Sequence, residues 1–171
     1  MRVALLLLMS TWLVGCLGMP EKISPVDEFE LKKYLGKWYE IARLDHSFER
    51  GLESVTAEYS LRKEDGFSVV NRGYSPEDGE WRVAEGKAYF VNKEDEGYLK
   101  VSFFGPFYGS YVIFELDKVN YEYAFVSGPD TSYLWLLSRS PNLPQEIIDK
   151  FKQRSKASGF DISHLIFVNQ D

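Results

Sequence analysis

The chain has 171 residues, a formal net charge of -6, one cysteine and 16% aromatic residues. This length and aromatic content fit one compact β-rich domain. Lysine and arginine are scattered along an acidic chain and form no basic stripe that could neutralise phosphates, which argues against nucleic acid as a partner.

The N-terminus has the form of a secretory signal. Arg2 precedes an apolar run from Val3 to Leu8, and residues 13–16 read Leu-Val-Gly-Cys. The run is shorter than the about 20 apolar residues that a transmembrane helix needs. The Leu-Val-Gly-Cys segment resembles the bacterial lipobox, in which a peptidase cuts before the cysteine and the sulfur carries a diacylglycerol. We therefore expect residues 1–15 to be a lipoprotein signal peptide and Cys16 to be the lipid attachment site. The alternative is an ordinary signal peptide with an incidental cysteine.

Acylation of Cys16 would use the only thiol of the chain, so no intrachain disulfide could form even in an oxidising compartment. Leu17 stands where lipoproteins retained in the inner membrane often have aspartate. The resemblance therefore implies a lipid-anchored protein of the bacterial outer membrane, facing the periplasm. Residues 16–28 contain two prolines and no periodicity, and we interpret them as the acylated cysteine and a tether. Residues 29–171 form the remaining domain.

Residues 34–43, Tyr-Leu-Gly-Lys-Trp-Tyr-Glu-Ile-Ala-Arg, join a short polar helix-like run to the first convincing strand. Gly36 stands at the junction, where the backbone must turn, and Trp38 lies just inside the strand. Everything between this strand and a late helix is predicted to be strands and turns.

Alternating apolar and polar residues and the turns between them predict seven further strands. Residues 52–61 alternate cleanly, as is typical of a half-buried antiparallel strand, and Asp65-Gly66 is a hairpin turn signal. The seven predicted strands cover residues 52–61, 67–71, 81–91, 98–103, 111–116, 121–127 and 133–139.

The last two of these strands are apolar on both faces, so both faces must be covered. Residues 144–158 can cover one face, because Ile147, Ile148 and Phe151 recur at helical spacing after an initial proline. A short further strand is predicted at residues 165–168. The predicted fold class is all-β: an eight-stranded antiparallel up-and-down barrel with one C-terminal α-helix packed outside.

Three features at separate places resemble the signature of the lipocalin family. Gly36-x-Trp38 opens the first strand, Val119-Asn120-Tyr121 precedes the seventh, and Arg139 ends the eighth. In that family the arginine packs over the tryptophan at the closed end of the barrel, a cation-π contact worth about 0.5 to 2 kcal/mol. The resemblance implies the same structural role for Gly36, Trp38 and Arg139.

Longer segments are similar to the bacterial lipocalins, which are outer-membrane lipoproteins related to apolipoprotein D. They are residues 38–51, 100–109, 128–130 and 133–135. The resemblance implies a lipocalin barrel and lipid binding. The alternative is an unrelated antiparallel barrel with a chance Gly-x-Trp.

The inward face of the predicted barrel combines aromatic residues with small ones. Gly86 and Ala88 share the parity of Phe90, and we interpret them as leaving room rather than marking close backbone approach. The pattern predicts an elongated, apolar, incompletely filled cavity, whereas each residue alone also fits plain core packing. The predicted ligand-binding residues are Val55, Ala57, Tyr59, Val69, Asn71, Ala88, Phe90, Leu99, Val101, Phe103, Tyr111, Ile113, Val126, Tyr133 and Trp135.

Residues for catalysis or metal binding are not predicted. His46 and His164 are far apart and outside any ligand-spaced cluster, so we expect neither a metal nor a cofactor. The chain contains no Gly-x-Ser-x-Gly and no phosphate loop. His46 follows Asp45 as a catalytic pair could, but we expect a solvated loop or a hydrogen-bonding role for it.

The leading functional hypothesis is a membrane-tethered protein that binds one fatty acid or lysophospholipid for storage or transport. Its partners would be that lipid and, through acylated Cys16, the membrane; a homodimer is left open. Two alternatives are an interaction module whose barrel is filled by its own aromatic residues, and a lipid-modifying enzyme.

Overall fold

The computed structural model describes residues 17–171, and Cys16 and the predicted signal peptide lie outside this range. The described chain begins its regular structure with a short helix, α1 (Leu31–Tyr34). The strands are β1 (Gly36–Arg43), β2 (Glu53–Leu61), β3 (Phe67–Ser75), β4 (Glu80–Phe90), β5 (Tyr98–Phe104), β6 (Phe107–Leu116), β7 (Tyr123–Ser127), β8 (Leu134–Ser138) and β9 (Ile166–Phe167). Between β8 and β9 lie α2 (Gln145–Ala157) and a 3-10 turn (Ile162–His164).

Strands β1 to β8 form a closed antiparallel barrel. Each pairs with the next along the chain, and β1 pairs with both β2 and β8, which closes the sheet. Strand β9 pairs antiparallel with β1 at Ala42 and Arg43, beyond the residues of β1 that pair with β2. The predicted eight-stranded barrel with one C-terminal helix is confirmed. Among residues 17–171, no helix is long and apolar enough to cross a membrane.

Two apolar cores result from the alternation of side chains across the barrel wall. The interior core includes Leu99, Ile113 and Val126, and the outer core lies between the wall and α2. In β7, Val126 faces inward while Phe125 faces α2, where its ring centroid lies 5.0 Å from that of Phe151. Strands that are apolar on both faces are therefore covered on both, as the sequence pattern predicts.

One end of the barrel, called here the closed end, is sealed by the residues around Trp38. Trp38 is fully buried, and the Arg139 guanidinium lies 3.9 Å from its ring centroid. Arg139 also donates hydrogen bonds to the carbonyls of Lys33 (2.7 Å) and Lys37 (2.8 Å), which tie the segment around α1 to the end of β8. Gly36 has φ +93°, a backbone conformation in which a larger residue would be strained.

The segment before α1 is bound to the barrel wall rather than acting as a free tether over its described part. The Val26 amide donates to the Ile113 carbonyl (2.8 Å), and the Phe29 amide donates to the Asp95 carbonyl (2.9 Å). Ile23 is buried in the outer core. Sequence reasoning missed this packing because single apolar residues in an irregular segment leave no periodic signal.

Candidate functional site

The end of the barrel opposite the closed end is called here the mouth. The loops that follow β1, β3, β5 and β7 meet there, because alternate strands of an antiparallel barrel start at opposite ends. Twelve of the fifteen predicted lining residues belong to the interior core or pack against it. Of the other three, Val55 is buried, Asn71 shares the face of Val69 and pairs with Ala57, and Tyr133 precedes β8.

The interior side chains of β5 become more accessible from the closed end toward the mouth. Leu99 and Ile113, near the closed end, are fully buried. Further along β5 toward the mouth, Val101 and Phe103 are only partly buried. Accessible apolar surface on β5 is therefore concentrated in its mouth half.

Gly86 and Ala88 do not leave room, so that part of the sequence interpretation is wrong. A Cβ added at Gly86 would lie 2.9 Å from the ring of Phe103, and Ala88 is fully buried. The glycine allows the aromatic ring to pack directly on the backbone of β4. Sequence alone does not distinguish close approach from empty space.

Two surface pockets touch single members of the predicted set. One, of about 640 Å³, lies at the closed end beside α1 and includes Phe90. The other, of about 320 Å³, lies beside β4 and β5 and includes Gly86 and Phe103. Most of the predicted lining residues thus face the barrel interior and not these pockets.

Three tyrosine hydroxyls meet inside the barrel. Tyr111 Oη lies 2.6 Å from Tyr34 Oη and 2.8 Å from Tyr59 Oη. Burial raises the pKa of all three phenols, so they stay protonated. The three hydroxyl groups carry three hydrogens but form only two hydrogen bonds with one another. The triad is therefore a polar site within the apolar interior. Tyr34 was not predicted here because it precedes the first strand.

A buried ionisable cluster, formed by Glu40, Arg43, His46 and Glu49, lies on the mouth half of β1 and in the loop after it. A β-bulge between Glu40 and Ala42 shifts the register, so that Glu40 pairs with Leu137 and Arg43 with Trp135. Leu137 and Trp135 both belong to the interior core, and hence Glu40 and Arg43 face inward. Glu40 shares the parity of Trp38, and the bulge after it turns Arg43 into the barrel as well.

Arg43 is the centre of this cluster and is 1% exposed. It donates to Glu40 Oε1 (2.7 Å) and to the carbonyls of Glu49 (2.8 Å) and Leu52 (3.2 Å). Trp135 Nε1 donates to Glu49 Oε2 (3.1 Å). These bonds fix the loop between β1 and β2 against the mouth.

Burial decides the protonation of the cluster. It raises the pKa of the Glu40 carboxyl well above its usual range, and the neighbouring Glu49 carboxyl raises it further. Burial also raises the pKa of Glu49 and, together with Arg43, lowers that of His46 to about 4. At neutral pH His46 is therefore uncharged.

His46 does not lie in a solvated loop, and that alternative in the sequence analysis is wrong. The residue is 7% exposed, and its Nε2 lies 3.1 Å from Glu49 Oε2. Its ring stacks on that of Phe48, with the centroids 4.1 Å apart, and its centroid lies 5.1 Å from that of the Trp135 ring. Within residues 17–171, no group of three His, Cys, Asp or Glu side chains is placed to hold a metal ion.

Comparisons with known proteins agree with this architecture. A family model described as a lipocalin-like domain matches residues 29–170. The chain is 67% identical to the outer membrane lipoprotein Blc of Vibrio cholerae over 99% of both chains. It is 51% identical to that of Escherichia coli K12 over 88% of this chain and 85% of the relative. Apolipoprotein D of Mus musculus is 34% identical over 85% of this chain and 80% of its own.

A solved structure shows the same fold. Insecticyanin from the tobacco hornworm Manduca sexta aligns with a TM-score of 0.71 and 25% identity, over 89% of this chain and 86% of its own. With the family model and the close relatives, this similarity confirms the resemblance that the sequence motifs indicate. The chain belongs to the lipocalin family.

Proposed function

We propose that the protein is an outer-membrane-anchored lipid-binding protein that stores or transports one fatty acid or lysophospholipid for membrane maintenance. The observation that carries the proposal is the partly accessible apolar interior in the mouth half, at Val101, Phe103 and Trp135. Relatives named outer membrane lipoproteins support the location. The proposal includes acylation of Cys16 and no catalysed reaction.

The energetics favour a single acyl chain. Moving a chain from water into an apolar interior is worth about 0.8 kcal/mol per CH₂. An eight-stranded barrel is just wide enough for side chains or one small ligand, and here the closed half is already filled by residues such as Leu99 and Ile113. The acyl chain would therefore occupy the mouth half, and its polar headgroup would remain at the mouth.

Filling the proposed lipid space tests the binding function. In Val101→Trp the larger ring takes up interior space, so we expect binding of a fluorescent fatty acid to weaken about tenfold or more. Val119→Trp is the matched control, because Val119 is 78% exposed in a loop at the closed end. Both variants are measured by fluorescence titration in the unlipidated Cys16→Ser background. Equal affinity of Val101→Trp and the control would contradict the proposal.

The anchor is tested separately by cell fractionation. We expect Cys16→Ser to release the protein from the membrane as a soluble periplasmic protein, because a diacylglycerol on this sulfur would supply the acyl chains that stable anchoring needs. Fractionation of the variant with the outer membrane, as for the unsubstituted protein, would contradict acylation at this residue.

A further inference from the structure

Exposed aromatic side chains are concentrated at the mouth. Five large apolar residues there are 52 to 80% exposed, and we call them the apolar rim. The apolar rim consists of Phe48, Trp81, Val83, Phe104 and Phe107. At the closed end the exposed large apolar residues of the described chain are Leu61 and Val119, both aliphatic. The mouth is thus the more hydrophobic end of the molecule.

The apolar rim is carried by the mouth ends of β4, β5 and β6 and by the loop after β1. Phe104 and Phe107 form a cross-strand pair at the turn between β5 and β6. Strand β4 pairs with β5 only from Lys87 onward, so the part of β4 that carries Trp81 extends past the end of β5. Phe48 stacks on His46 in the loop after β1, which the buried ionisable cluster holds in place. The rim is therefore presented by a fixed framework.

The described chain also starts on the barrel wall beside one of the loops at this end. The Gly18 amide donates to Ser110 Oγ (2.9 Å) within β6, and the Gly18 carbonyl accepts from Tyr98 Oη (3.5 Å). A Cβ at Gly18 would lie 3.9 Å from the carbonyl oxygen of Pro129, in the loop between β7 and β8 at the mouth. From there the segment runs along the wall to Val26 and the closed end. Cys16 precedes Gly18 by two residues, a step that spans at most about 7 Å.

We infer that the apolar rim docks on the phospholipid bilayer, so that the mouth faces the membrane to which the protein is anchored. The inference rests on the proposed acylation of Cys16, whose short reach holds the mouth close to the bilayer. Aromatic side chains suit the membrane interface, where one side is apolar and the other wet. A lipid can then pass between bilayer and barrel without crossing bulk water.

The charges near the rim indicate which bilayer it fits. The hairpin between β3 and β4 carries the exposed acids Glu77, Asp78 and Glu80 and, close by, Arg82, which is ion-paired with Asp78. Arg72 also lies over the Trp81 ring (5.3 Å), but with three acids beside Arg72 and Arg82 this surface has no excess of positive charge for anionic headgroups. Docking therefore depends on apolar burial, and it should occur on neutral phospholipid and change little with salt.

The test uses flotation with phosphatidylcholine vesicles and the chain without the predicted signal peptide (residues 16–171) carrying Cys16→Ser, so that docking is measured without the anchor. We expect the double variant Phe104→Ser/Phe107→Ser to bind vesicles about tenfold more weakly. The matched control is Leu61→Ser/Val119→Ser, which removes the exposed apolar pair of the closed end and should bind as the parent does. In the parent, brominated phosphatidylcholine should quench Trp81 fluorescence.

Equal vesicle binding of the rim variant and its parent, or an equal loss in the control, would overturn the inference. So would a change in oligomeric state of the rim variant without vesicles, because the rim would then serve a second copy. Solution affinity for a fluorescent fatty acid is measured in parallel and should be unchanged. A parent protein that binds no fatty acid would count against the proposed function, whereas loss of vesicle docking alone would count against the orientation.

Discussion

The two ends of the barrel both use aromatic residues and a buried or partly buried arginine, but for different purposes. At the closed end, Trp38 is fully buried and Arg139 donates its hydrogen bonds to backbone carbonyls. At the mouth, the buried cation Arg43 holds a loop, while aromatic residues such as Phe104 remain exposed. The closed end thus contributes mainly stability, whereas the mouth leaves exposed apolar surface, where the proposed exchange of lipid would take place.

Removal of the closed-end tryptophan should have the largest effect on stability. Trp38→Ala should lower the free energy of unfolding by about 3 to 5 kcal/mol, because it deletes a fully buried ring and leaves a cavity. Trp81→Ala at the mouth, where the ring is 52% exposed, should change it by about 0.5 kcal/mol or less. Urea unfolding measures both. Similar losses in the two variants would contradict the division between the ends.

The second test concerns the mouth and depends on pH. The pKa of His46 is lowered to about 4 from its ordinary 6.5. The contribution of neutral His46 to the free energy of unfolding is therefore fully present above pH 6.5 and is lost as the pH falls toward 4, because the unfolded chain takes up the proton first. Unfolding free energy should therefore fall by about 2 kcal/mol more in the parent than in His46→Gln between pH 7 and pH 4.5. Urea unfolding at the two pH values measures this, and parallel losses would show that His46 is not held neutral by burial.

The smallest expected effect is at Arg139. Arg139→Ala should lower the free energy of unfolding by about 1 kcal/mol or more through lost packing on Trp38. Arg139→Lys keeps the charge but not the planar group that serves several carbonyls, so its loss should be smaller than that of alanine. Fatty-acid affinity of the folded fraction should change little in both. An affinity that collapsed while stability stayed intact would place Arg139 at the ligand instead.

The regular alternation of apolar and polar residues along the strands made the barrel predictable from the sequence. The barrel follows from strand periodicity and the need to cover apolar faces, but in β7 and β8, which are apolar on both faces, periodicity does not decide that Val126 and Trp135 face inward. The bulge after Glu40 breaks that periodicity, so a reading by parity puts Arg43 on the wrong face and misses the ionisable cluster.

Irregular segments and small residues carried too little signal for prediction. Ile23 packs on the wall through an irregular segment whose partners are distant in the sequence. Gly86 proved to mark close approach of Phe103, which depends on the neighbouring strand and not on β4 alone. The fold was thus more predictable than the details of the site.

Native mass spectrometry of the Cys16→Ser protein purified from cells measures directly whether the barrel holds a lipid. The proposed function predicts one bound fatty acid or lysophospholipid per barrel, identified by extraction, and its loss in Val101→Trp but not in Val119→Trp. A barrel that is empty as purified, and that also ignores added fatty acids and lysophospholipids, would contradict lipid binding and favour a surface interaction module with a filled interior.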